Sequence, residues 1–308
     1  MKKRILNIIL FMLFAAGIFL LLYRADFVLR NKESGCVQEN FAKLPKDSVD
    51  VVFVGNSHQF CTIDPDMLYE EYGISSYMLA TSAQTVPMSY YAAMEAIELQ
   101  HPEKIVFEVS YAPNDWKILT AMAHCFFDGM PNCEAKWEAI KDLTGDDRIY
   151  FYLPLGLYHS RWKDLTEADY GIGNVTARGG VHYEETVLNT EIPLVAADEQ
   201  QAMPEEMEQY MDRLVALCEE NDVELILYVA PFNGMGDSEG DREDLFMRQR
   251  VFNYVGAYAE EKGLEFHNLF YELEELGLNN ETDWMDRQHL NCYGQEKVTR
   301  YMVEKGYF

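Results

Sequence analysis

VVFVGNSHQF, residues 51–60, decides the fold. Four apolar residues, three of them β-branched, run straight into Gly55-Asn56-Ser57-His58. A short β-branched run that stops at turn-forming residues reads as a buried strand, here 49–55. The tetrapeptide behind it has two readings. Gly, Asn and Ser are ordinary turn residues, or Ser57 is a nucleophile held at the rim of a sheet. A partner for Ser57 elsewhere in the chain decides between them.

Working outward, strand and helix patterns alternate. A helix over 63–73 leads to a strand over 74–80, then a helix over 87–100 with Pro87 in its first turn and a strand over 104–110. Later come a helix over 204–222, a strand over 223–231, a helix over 242–263, a strand over 264–270 and a closing helix over 293–306. Such alternation implies a parallel sheet with helices on both faces. Residues 112–203 break the rhythm. They are aromatic-rich and poorly periodic, and read as an insertion with short helices of its own, such as 133–143. The insertion leaves the carboxyl end of the third strand, the edge where ligands bind in open α/β sheets.

The N-terminus is apolar for membrane length. Residues 5–23 hold one Asn and no charge, and at about 1.5 Å per residue they approach the roughly 30 Å of a hydrocarbon core. Lys2, Lys3 and Arg4 favour a cytoplasmic amino end. The run is longer than a cleaved signal's apolar region, and the residues after it offer a poor cleavage site. The expected organisation is an anchor over 1–24, a linker over 25–48 and an extracytoplasmic domain over 49–308.

The formal net charge of −27 sets 52 acidic residues against 25 basic ones. Such a surface repels phosphate backbones, which argues against nucleic acid as a partner. No C-x-x-C pair, H-E-x-x-H, Walker loop or G-x-G-x-x-G occurs, so neither a metal nor a cofactor is expected. Outside the cell, Cys125 and Cys133 are spaced to close a short disulfide loop.

The partner for Ser57 stands in DWMDRQHLNCYG, residues 283–294, between the fifth strand and the last helix. Asp286 and His289 are three residues apart. That spacing lets a carboxylate meet Nδ1 of the imidazole, leaving Nε2 to take a proton from a serine.

With both blocks in view, the chain resembles the SGNH/GDSL hydrolases. GNSH (55–58) stands where that superfamily has its Gly-Asp-Ser block, with Asn56 in the place of Asp, and DRQHLN (286–291) matches its last block. The resemblance covers roughly 49–110 and 223–306. It is nearest to membrane-anchored branches acting on cell-envelope polymers, such as proteins of teichoic-acid D-alanylation and alginate acetylation. It implies a flavodoxin-like three-layer α/β/α fold with a five-stranded parallel sheet after one transmembrane helix. It implies acyl transfer through an acyl-serine, with Ser57, His289 and Asp286 as the catalytic set. The expected partners are an acylated glycan or small ester, the membrane through the N-terminal helix, and a membrane-embedded acyl-donor protein.

The middle blocks depart from the pattern. The glycine often found after strand two is absent from LATSAQTVP (79–87), so backbone groups around Ser82 or the Gln84 side chain are the candidate oxyanion donors. After strand three, APND (112–115) offers Asn114. His58 is expected to line the pocket or cap the helix, and His159 and Arg161 to meet substrate from the insertion. The contrasting reading is a non-catalytic glycan-binding or scaffold protein that retains the fold.

Overall fold

The computed structural model describes residues 2–30, 36–114, 120–171, 173, 175–188, 197–231 and 239–308. In chain order the elements are α1 (Lys2–Leu29), α2 (Val37–Phe41), β1 (Val51–Gly55), α3 (Ser57–Phe60), α4 (Pro65–Tyr72), β2 (Ser76–Ala80), α5 (Val86–Gln100) and β3 (Lys104–Glu108). The insertion supplies α6 (Thr120–Phe127), α7 (Glu134–Leu143), α8 (Arg148–Tyr152) and α9 (Pro154–Tyr158). The second half adds α10 (Glu205–Glu220), β4 (Glu224–Val229), α11 (Glu239–Lys262), β5 (Glu265–Asn268) and α12 (Cys292–Lys305).

The five strands pair in parallel, in the order β2-β1-β3-β4-β5. Alternate residues of each strand face opposite layers. Val52, Val54, Leu79, Ile105, Phe107, Leu225 and Leu227 pack against α5, α10 and α11. Val51, Phe53, Met78, Val106, Ile226 and Tyr228 pack against α4 and α12. Coverage on both faces explains why the central strands read as continuous apolar runs rather than as alternating ones.

Local chemistry sets the ends of the helices that frame the site. Asp64 caps α4 by accepting from the Asp66 and Met67 amides, and Gly73 ends it at φ +71°. Asn291 caps α12 by accepting from Tyr293 and Gly294. Gly55 is required for a different reason. A Cβ there would stand 2.9 Å from both Gln59 Cβ and Glu108 Cβ, so glycine is what lets α3 fold back against β3.

Two segments depart from the sequence reading. Among the described residues of 25–48, α2 packs on the domain: Phe41 is fully buried, and Val37 accepts a 2.7 Å hydrogen bond from the Tyr77 hydroxyl of β2. The insertion is packed into the fold at several points. Its α7 packs on α5 and its α9 on α1. Arg178 O accepts from Met78 N at 2.9 Å, so this stretch covers the outer edge of β2. Cys125 and Cys133 are both buried and are not joined, so the short disulfide loop is not formed.

Candidate active site

The carboxyl edge of the sheet gathers the chemistry. β1 lies between β2 and β3, so the turns after these three strands are neighbours. Ser57 opens α3, directly behind β1. Its Oγ lies 2.8 Å from His289 Nε2, across 232 residues of chain. His289 Nδ1 lies 2.8 Å from Asp286 Oδ2 and 3.1 Å from Oδ1.

The His loop is held on several sides. The Gln288 and His289 amides donate to Asp286 Oδ1 at 2.7 and 2.8 Å. Burial would raise the Asp286 carboxyl, but the His289 ring and these amides outweigh it and hold it at about 2. The Asn291 amide donates to the Thr282 and Glu185 carbonyls, and Val187 N donates to Trp284 O. The returning end of the insertion is therefore stitched to the loop that carries Asp286 and His289.

Beneath Ser57 lies a buried polar layer. Asn56, 1% exposed, accepts from the His58 amide at 2.8 Å and donates to Glu108 Oε2 at 3.0 Å and Ser110 Oγ at 3.2 Å. Glu108 also accepts from the Ser110 and Ala230 amides and the Ser110 hydroxyl. Burial pushes its carboxyl up to about 7 against these donors. An aspartate at position 56 would set two carboxylates face to face. The amide of Asn56 is the group this neighbour requires.

His58 is buried and stacks on His289, with ring centroids 4.9 Å apart. Burial, then His289 and Arg248, lower it to about 3, so it stays neutral beside the imidazolium that proton transfer from Ser57 would create.

The remaining candidates divide. Asn114, after β3, accepts from Arg248 at 3.1 Å through its oxygen, while its buried Nδ2 finds no partner among the described residues. Ser82 and Ala83 lie in the turn after β2. Ala83 adopts φ +51°, the left-handed conformation that a glycine would supply without strain. Gln84 is held within the turn after β2 by its own hydrogen bonds. Its oxygen accepts from the Thr81 amide and hydroxyl and its Nε2 donates to Ser89 at 3.0 Å, so the side chain braces the turn. His159 bonds to Gly156 O, and Arg161 to the Leu29 and Arg30 carbonyls and Asp169. The bonds of this pair run to their own turn, to Asp169 and to the end of α1, not to the Ser57 cluster.

Three residues escape a reading from motifs. The Tyr111 hydroxyl is within hydrogen-bonding reach of Ser57, and its ring meets His58 edge-on at 6.3 Å. Glu108 carried a signal, since it is an acid directly after the apolar run 105–107 of β3. Arg248 carried a weaker one, four residues after its partner Asp244 on α11.

No family model and no curated protein matches the chain. Among solved structures it is similar to a provisionally assigned acylhydrolase from Bacteroides fragilis, at 14% identity over 88% of this chain and 93% of that one, with a TM-score of 0.45. It is also similar to a GDSL-like lipase from Bacteroides thetaiotaomicron, at 13% identity over 87% and 93% of the two chains, with a TM-score of 0.39. A provisionally assigned GDSL-like lipase from Parabacteroides merdae gives 13%, 87% and 99%, with a TM-score of 0.39. The fold itself rests on the parallel sheet and its strand order.

Proposed function

We propose that this chain is a membrane-anchored, extracytoplasmic serine esterase or O-acyltransferase of the SGNH type. Its substrate class is an acylated cell-envelope glycan or related ester. The observation that carries the reading is the connected line Ser57 Oγ, His289 Nε2, His289 Nδ1, Asp286 Oδ2, with each contact at 2.8 Å. Ser57 attacks the ester carbonyl while His289 takes its proton, and Asp286 fixes the tautomer and stabilises the imidazolium. The tetrahedral oxyanion collapses, His289 protonates the leaving alcohol, and an acyl-serine remains. Water or a sugar hydroxyl, deprotonated by the same imidazole, then takes the acyl group. The Asn114 amide and the backbone of the Ser82–Ala83 turn are the groups we assign to the oxyanion.

The anchor reading is supported by how α1 ends. One helix, Lys3–Leu29, is long and apolar enough to cross a membrane. Phe27, Leu29 and Arg30 are buried, which ties the end of α1 to the folded domain. The basic residues ahead of it favour an extracytoplasmic domain.

Hydrolysis of a short-chain aryl ester by the full-length protein in detergent tests the reading. The expected result is turnover that Ser57→Ala abolishes. A folded Ser57→Ala protein that keeps its turnover overturns it.

A further inference from the structure

The surface around α8 and α9 has no role in the chemistry above, yet it is unusual in two independent ways. Residues 148–163, RIYFYLPLGLYHSRWK, contain three basic residues and no acidic one, in a chain of net charge −27. The same stretch exposes large apolar groups that soluble surfaces seldom cluster. Leu153 is 62% exposed and Trp162 65%, and Ile149, Tyr150 and Leu157 are exposed as well. Lys163 lies over the Trp162 ring, 5.7 Å from its centroid.

The position of this surface along α1 gives it meaning. α9 packs against α1. A cleft of about 650 Å³ opens between α1 and the domain. Its walls include Phe19 and Leu22 of α1 with Leu153 and Leu155 of the insertion, and further along Asp26, Arg30 and Glu39. Along α1 the lining therefore passes from apolar to charged within about three turns, roughly 15 Å. The domain climbs α1 into the apolar run that begins at Ile5 and ends at Tyr23. Arg161 locks the approach by donating to the Leu29 and Arg30 carbonyls at 2.6 and 2.8 Å.

We propose that residues 148–163 form a second membrane contact, with α8, α9 and Trp162 seated in the interfacial layer of the leaflet from which α1 emerges. The inference rests on the anchor reading. Trp and Tyr favour that layer and basic side chains favour its anionic headgroups. Exposed Asp146, Asp147, Asp164 and Glu167 flank this stretch, so its exposed apolar side chains, not a net positive charge, are what hold an acidic domain against such a surface. The domain then lies against the bilayer at a fixed height instead of swinging on a tether.

The test uses the full chain in vesicles of phosphatidylcholine and phosphatidylglycerol, with and without brominated acyl chains. Interfacial segments sit about 5–10 Å into the headgroup and acyl boundary. Brominated lipid is therefore expected to quench part of the tryptophan emission, and Trp162→Phe to lower the quenched part clearly. Leu153→Glu is expected to shift Trp162 from lipid quenching towards quenching by aqueous iodide. If Trp162→Phe leaves lipid quenching unchanged and instead removes iodide quenching, Trp162 faces water and the proposal fails. Flotation of the same vesicles after alkaline washing separates the two readings. A chain that floats while Trp162 faces water keeps the anchor and loses the second contact. A chain that does not float loses both.

Discussion

Asn56 and Glu108 meet as amide donor and carboxylate acceptor at 3.0 Å, one residue before Ser57 and below it. The pair ties the end of β3 to the cap of α3, so the position of the candidate nucleophile depends on a contact between two strands' ends. It also accounts for Asn in a place where the resembled superfamily has Asp.

That pair predicts a compensated exchange. Asn56→Asp alone sets two buried carboxylates together and is expected to cost about 3 kcal/mol or more. Glu108→Gln alone turns an amide donor toward the Asn56 donor and is expected to cost about 1–3 kcal/mol. Combined, the new amide donates to the new carboxylate, and stability recovers by roughly 1–3 kcal/mol relative to the sum of the singles. Chemical denaturation of the four proteins measures this. Strictly additive losses would mean that the two side chains are not coupled.

Glu108 also predicts how stability varies with pH. Burial lifts its carboxyl to about 7, against about 4.3 in an unfolded chain. Between those values the folded chain keeps a proton that the unfolded chain has lost. The contribution of Glu108 to stability therefore falls as pH rises through this window. Asp286 acts in the opposite sense. Held at about 2, it contributes stability that is complete above the unfolded value of about 3.9 and lost as pH falls towards 2. Thermal midpoints at pH 5 and pH 8 are expected to differ less in Glu108→Gln than in the parent. An equal or larger difference would contradict the assignment.

Asn114 and Gln84 are expected to separate cleanly. Asn114→Ala removes an amide group assigned to the oxyanion and is expected to lower kcat by on the order of 10²-fold, with KM nearly unchanged. Gln84→Ala leaves the Thr81 amide and hydroxyl and the Ser89 hydroxyl without their partner. It is expected to cost about 1–3 kcal/mol of stability, with turnover per folded molecule retained. The reverse pattern would exchange the two roles.

Ser57 and His289 are expected to behave as one unit. Each alanine variant is expected to lose on the order of 10³-fold or more in kcat, and the double variant little beyond either single. Asp286→Asn, which mis-sets the tautomer, is expected to lose about 10⁴-fold. Additive losses for Ser57 and His289 would mean that they do separate jobs.

Much of this was legible in the sequence because it is written in local patterns. VVFVG, SYMLA and KIVFE announce strands by apolar run and turn residues, and each strand lies within two residues of its expected bounds. GNSH and DRQH announce reactive groups because Ser directly behind a strand, and Asp three residues before His, are informative types. What stayed hidden depends on contacts far apart in the chain. The bond of Asn56 to Glu108 spans 52 residues, and nothing near either residue encodes it. Gln84 looked available because its type fits a donor, whereas Thr81 and Ser89 claim both ends of its amide. Arg161 was expected to meet substrate, yet it closes on the carbonyls at the end of α1 because helix ends leave acceptors unsatisfied.

The central claim is that Ser57 becomes acylated with His289 as its base, and intact-mass spectrometry of the full-length protein after a fluorophosphonate probe tests it most directly. The account predicts one adduct, located by peptide mapping on Ser57, absent from Ser57→Ala, and formed on the order of 10³-fold more slowly in His289→Ala. A folded parent protein that takes up no probe, or an adduct that persists in Ser57→Ala, would contradict it.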